Sequence, residues 1–192
     1  MDLDKIGVGP AGKVPQLLHV FVEVAKGSKN KYEFNKEADV MFLDRLLFTT
    51  NVYPGDYGFI PGTLCEDGDP VDAIVFVSEP NHPGVVLRVR PIALMKMVDE
   101  KGRDDKIVAV PDDAIDPHFK GFRDLKDISK QTIEEITHFF THMKELEPGK
   151  FVHVEGWENA KAAKAFVQDA IERKLIHDAV KSKKAKASSP SS

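Results

Sequence analysis

Four carboxylates crowd into seven residues, Glu66-Asp67-Gly68-Asp69-Pro70-Val71-Asp72, immediately ahead of an apolar run. Gly68 lets the backbone bend and Pro70 stiffens it. Like charges this close repel, and two readings stand open. The segment is a water-facing turn that tolerates the repulsion, or it holds a hard cation. Mg2+ prefers carboxylate oxygens, keeps waters and often shares its shell with phosphate. An EF-hand loop is excluded, because counting from Asp67 places Val71 at position 5, Asp72 at 6 and Ser78 at 12, where that loop needs an acid or amide, Gly and Glu.

A second acidic group, Asp99-Glu100 with Asp104-Asp105, flanks a turn after a long apolar segment. By itself it reads as a polar hairpin tip. Two acidic turns at strand ends can also converge at one mouth of a barrel and hold more than one metal. Interleaved with the acids are Lys31, Glu33, Arg45, Tyr53, Tyr57, Lys106 and Lys144. Arg offers phosphate a planar fork of donors and Lys a compact charge. His138 and His142 are four apart on a helical pattern, but they have no third ligand and no zinc spacing, so they read as helix surface. Cys65 has no evident His partner and reads as structural.

The elements that must carry these residues are mostly strands. Residues 17–24, 31–35, 40–48, 71–78 and 85–98 are β-branched, aromatic or alternating, and KIVAV at 106–110 adds another. Pro91 marks a bulge or an edge. The Tyr, Pro and Gly stretch around residues 51–62 reads as loops and tight corners. Helices follow. Ile133, Ile136, Phe140 and Met143 keep a 3–4 spacing between about Ser129 and Glu147, and Pro148-Gly149 stops the run. FVHVEG at 151–156 is a last strand, and Asn159 can cap a second helix. The expected fold is therefore mainly β with flanking helices, a small barrel or sandwich in one domain over residues 1–180. Residues 181–192, rich in Lys and Ser, are expected to be a disordered tail.

Composition removes several classes of function. No run approaches the ~18–20 apolar residues of a spanning helix, so a membrane protein is not expected. The first residues lack a basic segment followed by an apolar one, so no secretory signal is expected. The single cysteine rules out a disulfide framework and fits a cytoplasmic setting. Net charge is 27 − 31 = −4, and the last twelve residues contribute four Lys, leaving 23 − 31 = −8 elsewhere. So acidic a body is a poor general nucleic-acid binder, and an OB-type binding module would want a basic, aromatic face.

Taken together, the residues resemble the soluble family I inorganic pyrophosphatases of prokaryotic type. DGDPVD at 67–72 is that family's signature, and further segments match in order: PAGK at 10–13, KYE at 31–33, FLDR at 42–45, YPGDYGFIPGTL at 53–64, KMVDEKGRDDK at 96–106 and FFTHMKELEPGKFVHVEGW at 139–157. The resemblance spans about residues 10–175. It implies an OB-like β-barrel and hydrolysis of pyrophosphate to two phosphates with several Mg2+ ions. It implies Asp67, Asp72 and Asp104 as ligands of an activating ion, Asp72 also reaching a second. Asp99 and Asp104, with Glu23 nearby, would take an ion carried by the substrate. Asp69 would be the general base. Lys31, Arg45, Tyr57, Lys106 and Lys144 would contact phosphate, and Glu33 and Tyr53 would complete the pocket. A homohexamer is implied as well. One position departs from the family: Met143 stands where bacterial members usually have a Tyr that donates to phosphate, and a thioether cannot donate. A catalytically weakened relative is the alternative that this departure raises. If Met143 lines the pocket, Met143→Tyr should lower KM; if it turns into the core, it should not.

Overall fold

The structure, a computed structural model, describes residues 3–187. After a short helix α1 (Leu3–Ile6) the chain runs through β1 (Leu18–Val24), β2 (Asn30–Asn35), β3 (Val40–Leu46), β4 (Asp56–Phe59), β5 (Asp72–Val75), β6 (Val86–Asp99), β7 (Gly102–Arg103) and β8 (Lys106–Pro111). Two 3-10 turns lead to α2 (Lys130–His142), β9 (Val152–Asn159) and α3 (Ala160–Ala187). One sheet has seven strands in the order β1-β4-β5-β8-β6-β7, with β9 also on β6. Because β1 pairs with both β4 and β6, five strands close into a ring, β1-β4-β5-β8-β6, as the expected barrel requires. The hairpin β2–β3 forms its own two-stranded sheet.

The two-residue period of a strand explains the core. Along β8, Ile107 and Ala109 join one apolar cluster while Val108 and Val110 join another. The first cluster includes Val71, Ala73, Leu87, Val89 and Leu94 and is covered by Ala163, Val167 and Ala170 of α3. The second includes Tyr57, Ile74, Ile92, Met95 and Met97 and is covered by Ile136, Phe139 and Phe140 of α2. With both faces covered, these strands read as continuous apolar runs. Each large side chain removed from water contributes about 1.5–3 kcal/mol.

The stretch read as loops and corners contains a strand, β4. Its signal was masked because the residue that lets it pair is a glycine. A Cβ at Gly58 would lie 1.9 Å from the Phe21 carbonyl oxygen, so only glycine allows β1 and β4 to approach this closely. Helix α2 is capped by Ser129, whose side chain accepts from the Thr132 amide at 3.0 Å. It ends at His142, earlier than the Glu147 expected. Pro148 disfavours helical geometry just before it. Residues 143–147 instead close i→i+3 turns, Glu145 N to His142 O at 3.2 Å and Glu147 N to Lys144 O at 2.8 Å. Helix α3 starts as foreseen, with Asn159 accepting from the Ala162 amide at 3.1 Å. It continues through residues 181–187, where the sequence suggests a disordered tail; residues 188–192 lie outside the described residues.

Candidate active site

The acidic turn is held from both ends. The Cys65 amide donates to the Asp69 carbonyl at 2.7 Å, and Gly68, at φ +95°, supplies the left-handed step that closes it. The Asp69 amide donates to Asp67 Oδ1 at 3.0 Å. Helix α3 braces the segment before it. The Leu64 amide donates to the Ala170 carbonyl at 3.1 Å, and Arg173 Nη1 donates to the Leu64 carbonyl at 2.8 Å. Cys65 is half-buried, and burial pushes its thiol up to about 12, which agrees with a structural role.

Strand parity brings the other acids in. Strands β5 and β8 run parallel with Ala73 opposite Ile107, so Asp72 and Lys106 leave neighbouring strands at the same end. They point to the face of Ile74 and Val108, where Tyr57 also lies. Tyr57 Oη donates to Asp72 Oδ2 at 2.5 Å, and Lys106 Nζ donates to the same oxygen at 2.5 Å and also to Asp104 Oδ1. Asp99, at the end of β6, accepts from Lys144 Nζ at 2.7 Å and from the Lys101 amide at 2.8 Å. The neighbouring Asp105 leaves on the opposite face, accepting from the Met97 amide at 3.0 Å and from Arg103. Of the second acidic group, Asp99 and Asp104 thus join the site. Glu100 touches it only through Lys144, at 3.3 Å.

The phosphate-type cations Lys31 and Arg45 stand on the hairpin β2–β3, paired directly across it. Lys31 bonds Glu33 and, at 3.4 Å, Asp44. Arg45 bonds Asp44 at 2.5 Å and the buried Glu147 at 3.1 Å. Glu23 bridges this hairpin to the barrel: its carboxylate accepts from the Phe34 amide at 2.8 Å and feels both Asp72 and Lys31. Tyr53 is buried, and its hydroxyl has no hydrogen-bond partner among the described residues. Asp44, Glu147 and Arg173 are the contributors that motif reading did not single out. Glu147 carried a usable signal, being an acid just before a helix-stopping proline. Arg173 carried none, since its partner is a main-chain oxygen more than a hundred residues away.

Electrostatics follow from this crowding. Burial, with Asp67 and Asp72 close by, raises Asp69 above the usual carboxylate range. Burial raises Asp104 as well; Lys106 opposes the shift and Asp72 adds to it. Glu23 is pushed up to about 7, mainly by burial. Asp99 goes the other way, because the hydrogen bonds from Lys144 and the Lys101 amide outweigh its own burial. Lys106 is raised despite complete burial, since Asp72 and Asp104 flank its ammonium.

Met143, like Tyr53 and Tyr57, is buried in the apolar cluster under α2, which also includes Phe139 and Phe140; it is 6% exposed. His138 and His142 stack with ring centroids 4.1 Å apart on α2. A separate cleft between the loop at 50–54 and α2, about 590 Å³, holds none of the site carboxylates.

Residues 20–175, which include every site residue named above, match the family model described as inorganic pyrophosphatase. The chain belongs to the family I soluble inorganic pyrophosphatases. It is 49% identical over 166 residues to the inorganic pyrophosphatase of Aeropyrum pernix, covering 86% of this chain and 94% of the relative. It is 48% identical over 166 residues to that of Sulfolobus acidocaldarius, covering 86% and 96%. Among solved structures, the Thermus thermophilus inorganic pyrophosphatase superposes with a TM-score of 0.84 at 44% identity, over 88% of this chain and 95% of that one. The Helicobacter pylori enzyme gives 0.82 at 41%, over 83% and 94%. The fold is the family fold, and the activity of this chain is hydrolysis of pyrophosphate. Among the described residues no helix is long and apolar enough to cross a membrane.

Proposed function

We propose that this pyrophosphatase is Mg2+-dependent, that Asp69 is its general base and that the surrounding cations grip the phosphates. One observation carries the reading: Asp72 and Asp104 converge on a single cation, the Lys106 ammonium, beside the turn that bears Asp67 and Asp69. The donors are all carboxylate oxygens, the hard set that suits Mg2+. Burial raises the pKa of both Asp69 and Asp104, and Asp72 adds to each shift, so a divalent ion between these carboxylates would favour their ionised forms. Among the described residues no three such groups enclose a common point as they stand. Asp67, Asp72 and Asp104 would hold an activating ion, with Asp72 reaching another. Asp99, Asp104 and Glu23 would hold one that enters with the substrate.

Bound Mg2+ supplies a lowered pKa for coordinated water and positive charge at phosphate oxygens. The chain supplies the rest. Asp69 accepts the proton of the attacking water; its raised pKa suits that task. Arg45 is presented as a fixed fork by Glu147 and Asp44. With Lys31, Lys106 and Lys144 it neutralises charge on the leaving phosphate. Tyr57 already donates to an anionic oxygen, and the buried Tyr53 ring packs beneath it with centroids 5.3 Å apart. Glu33 orients Lys31.

A homohexamer working in the cytoplasm belongs to the same proposal. Its support is the single free thiol and the exposed Phe42, Leu43, Leu46 and Phe48 on and after β3, an apolar surface suited to other copies. Phosphate release from pyrophosphate with and without Mg2+, for the natural chain and Asp69→Asn, tests the chemistry. Equal rates in the four conditions would overturn it.

A further inference from the structure

The family match ends at residue 175, yet α3 continues to Ala187, adding about 18 Å of helix. The side chains on this extension are unusual for a solvated helix end. Leu175, Ile176 and Val180 are 64%, 66% and 48% exposed. At about 100° per residue they share an arc of roughly 140° with Ala179, Glu172 and Lys183. That arc lies roughly opposite Ala163, Val167 and Ala170, the residues that pack α3 on the barrel. The helix therefore has two apolar faces, one covered by the sheet and one outward.

The outward face has an internal order. An acid, Glu172, comes first, then Leu175, Ile176, Ala179 and Val180, then a cation, Lys183, and Glu172 and Lys183 are both exposed. In an antiparallel pair of identical helices related by a two-fold axis, residues i and j face each other when i + j is constant. Here 172 + 183, 175 + 180 and 176 + 179 all equal 355. One register thus sets Glu172 against Lys183, Leu175 against Val180 and Ile176 against Ala179, each twice by symmetry. A parallel pair would instead set Glu172 on Glu172 and Lys183 on Lys183, like on like. Antiparallel helix dipoles also favour the two-fold arrangement.

We propose that the α3 extension is a self-association element, pairing antiparallel with α3 of a second copy through Leu175, Ile176, Ala179 and Val180, with Glu172 and Lys183 fixing the register. The contact is independent of the catalytic site and of the β3 surface, so it adds a step to whatever assembly that surface makes.

Sedimentation velocity of the full chain over a wide concentration range, with pyrophosphate hydrolysis as a control, tests this. Val180→Glu puts a charge in the apolar seam and should weaken one association step by about tenfold or more, with hydrolysis unchanged. Glu172→Lys and Lys183→Glu should each weaken the same step by placing like charges together. The double variant Glu172→Lys/Lys183→Glu should restore it, because the swap is self-complementary again. Circular dichroism checks that the helix persists in each variant. Association unaffected by Val180→Glu would overturn the proposal. Single charge variants that weaken association while the double swap fails to rescue it would overturn the antiparallel register.

Discussion

At the scale of single residues, the environments of Asp69 and Asp99 separate their roles. Burial and two acidic neighbours push Asp69 towards holding a proton, while Lys144 and a main-chain amide hold Asp99 as a carboxylate. Asp69→Asn keeps the shape of the turn but cannot accept a proton. Its turnover should fall by ~10²–10⁴ with the fold intact, as measured by phosphate release and circular dichroism. A drop of only a few-fold would remove Asp69 from the role. Met143 belongs to the other kind of residue. It sits in the core, so Met143→Tyr enlarges a buried side chain and should cost about 1–3 kcal/mol of stability without lowering KM. A lower KM in steady-state kinetics would show that a side chain at 143 does reach phosphate.

At the scale of elements, the site depends on how α3 and the segment before α2 are tied to the barrel. Arg173 links α3 to the chain entering the acidic turn, through the Leu64 carbonyl and, at 3.9 Å, Glu66. Arg173→Ala should cost about 1.5–3 kcal/mol of stability, the range for losing a charged hydrogen bond, and, by loosening that turn, should also lower kcat several-fold. A lower melting temperature with unchanged kcat would make Arg173 purely structural. Asp124 performs a double service: its carboxylate accepts from the Leu125 amide at 2.8 Å and from the Ala160 amide, at the start of α3, at 2.9 Å. Those amides hold it below the ordinary carboxylate range. Its contribution is therefore complete above about pH 4 and is lost as pH falls through the folded-state pKa. Asp124→Ala should cost about 0.5–2 kcal/mol at neutral pH. The gap between it and the natural chain should shrink in acid; denaturant melts at several pH values measure both.

At the scale of the whole molecule, the barrel is held by its two apolar clusters and a closed ring of hydrogen-bonded strands, and Lys106 already offsets charge between Asp72 and Asp104. Fold and metal should therefore be separable. A chelator should abolish phosphate release while leaving the far-ultraviolet spectrum in place. Ca2+ should bind in place of Mg2+ without restoring turnover, because it takes 6–8 ligands at longer, less strict distances. Turnover with Ca2+ equal to that with Mg2+ would contradict a site tuned to the smaller ion.

What the sequence determined by itself is local or motif-borne. DGDPVD and the segments around it pointed to the family. The β-branched runs located β1, β5, β6 and β8, and Ser129 and Asn159 marked two helix starts, since periodicity and capping act within a few residues. The sequence could not show β4, because Gly58 has value only against the Phe21 carbonyl of another strand. Residue type alone could not separate Asp104 from Asp105, which only the motif match did; in the folded chain Asp104 accepts from Lys106 and Asp105 from the Met97 amide. The sequence left open whether Met143 lines the pocket or enters the core, and packing of α2 on the barrel buries it. The pairing of β4 and the burial of Met143 rest on which strand or helix lies opposite, and only the folded chain decides that.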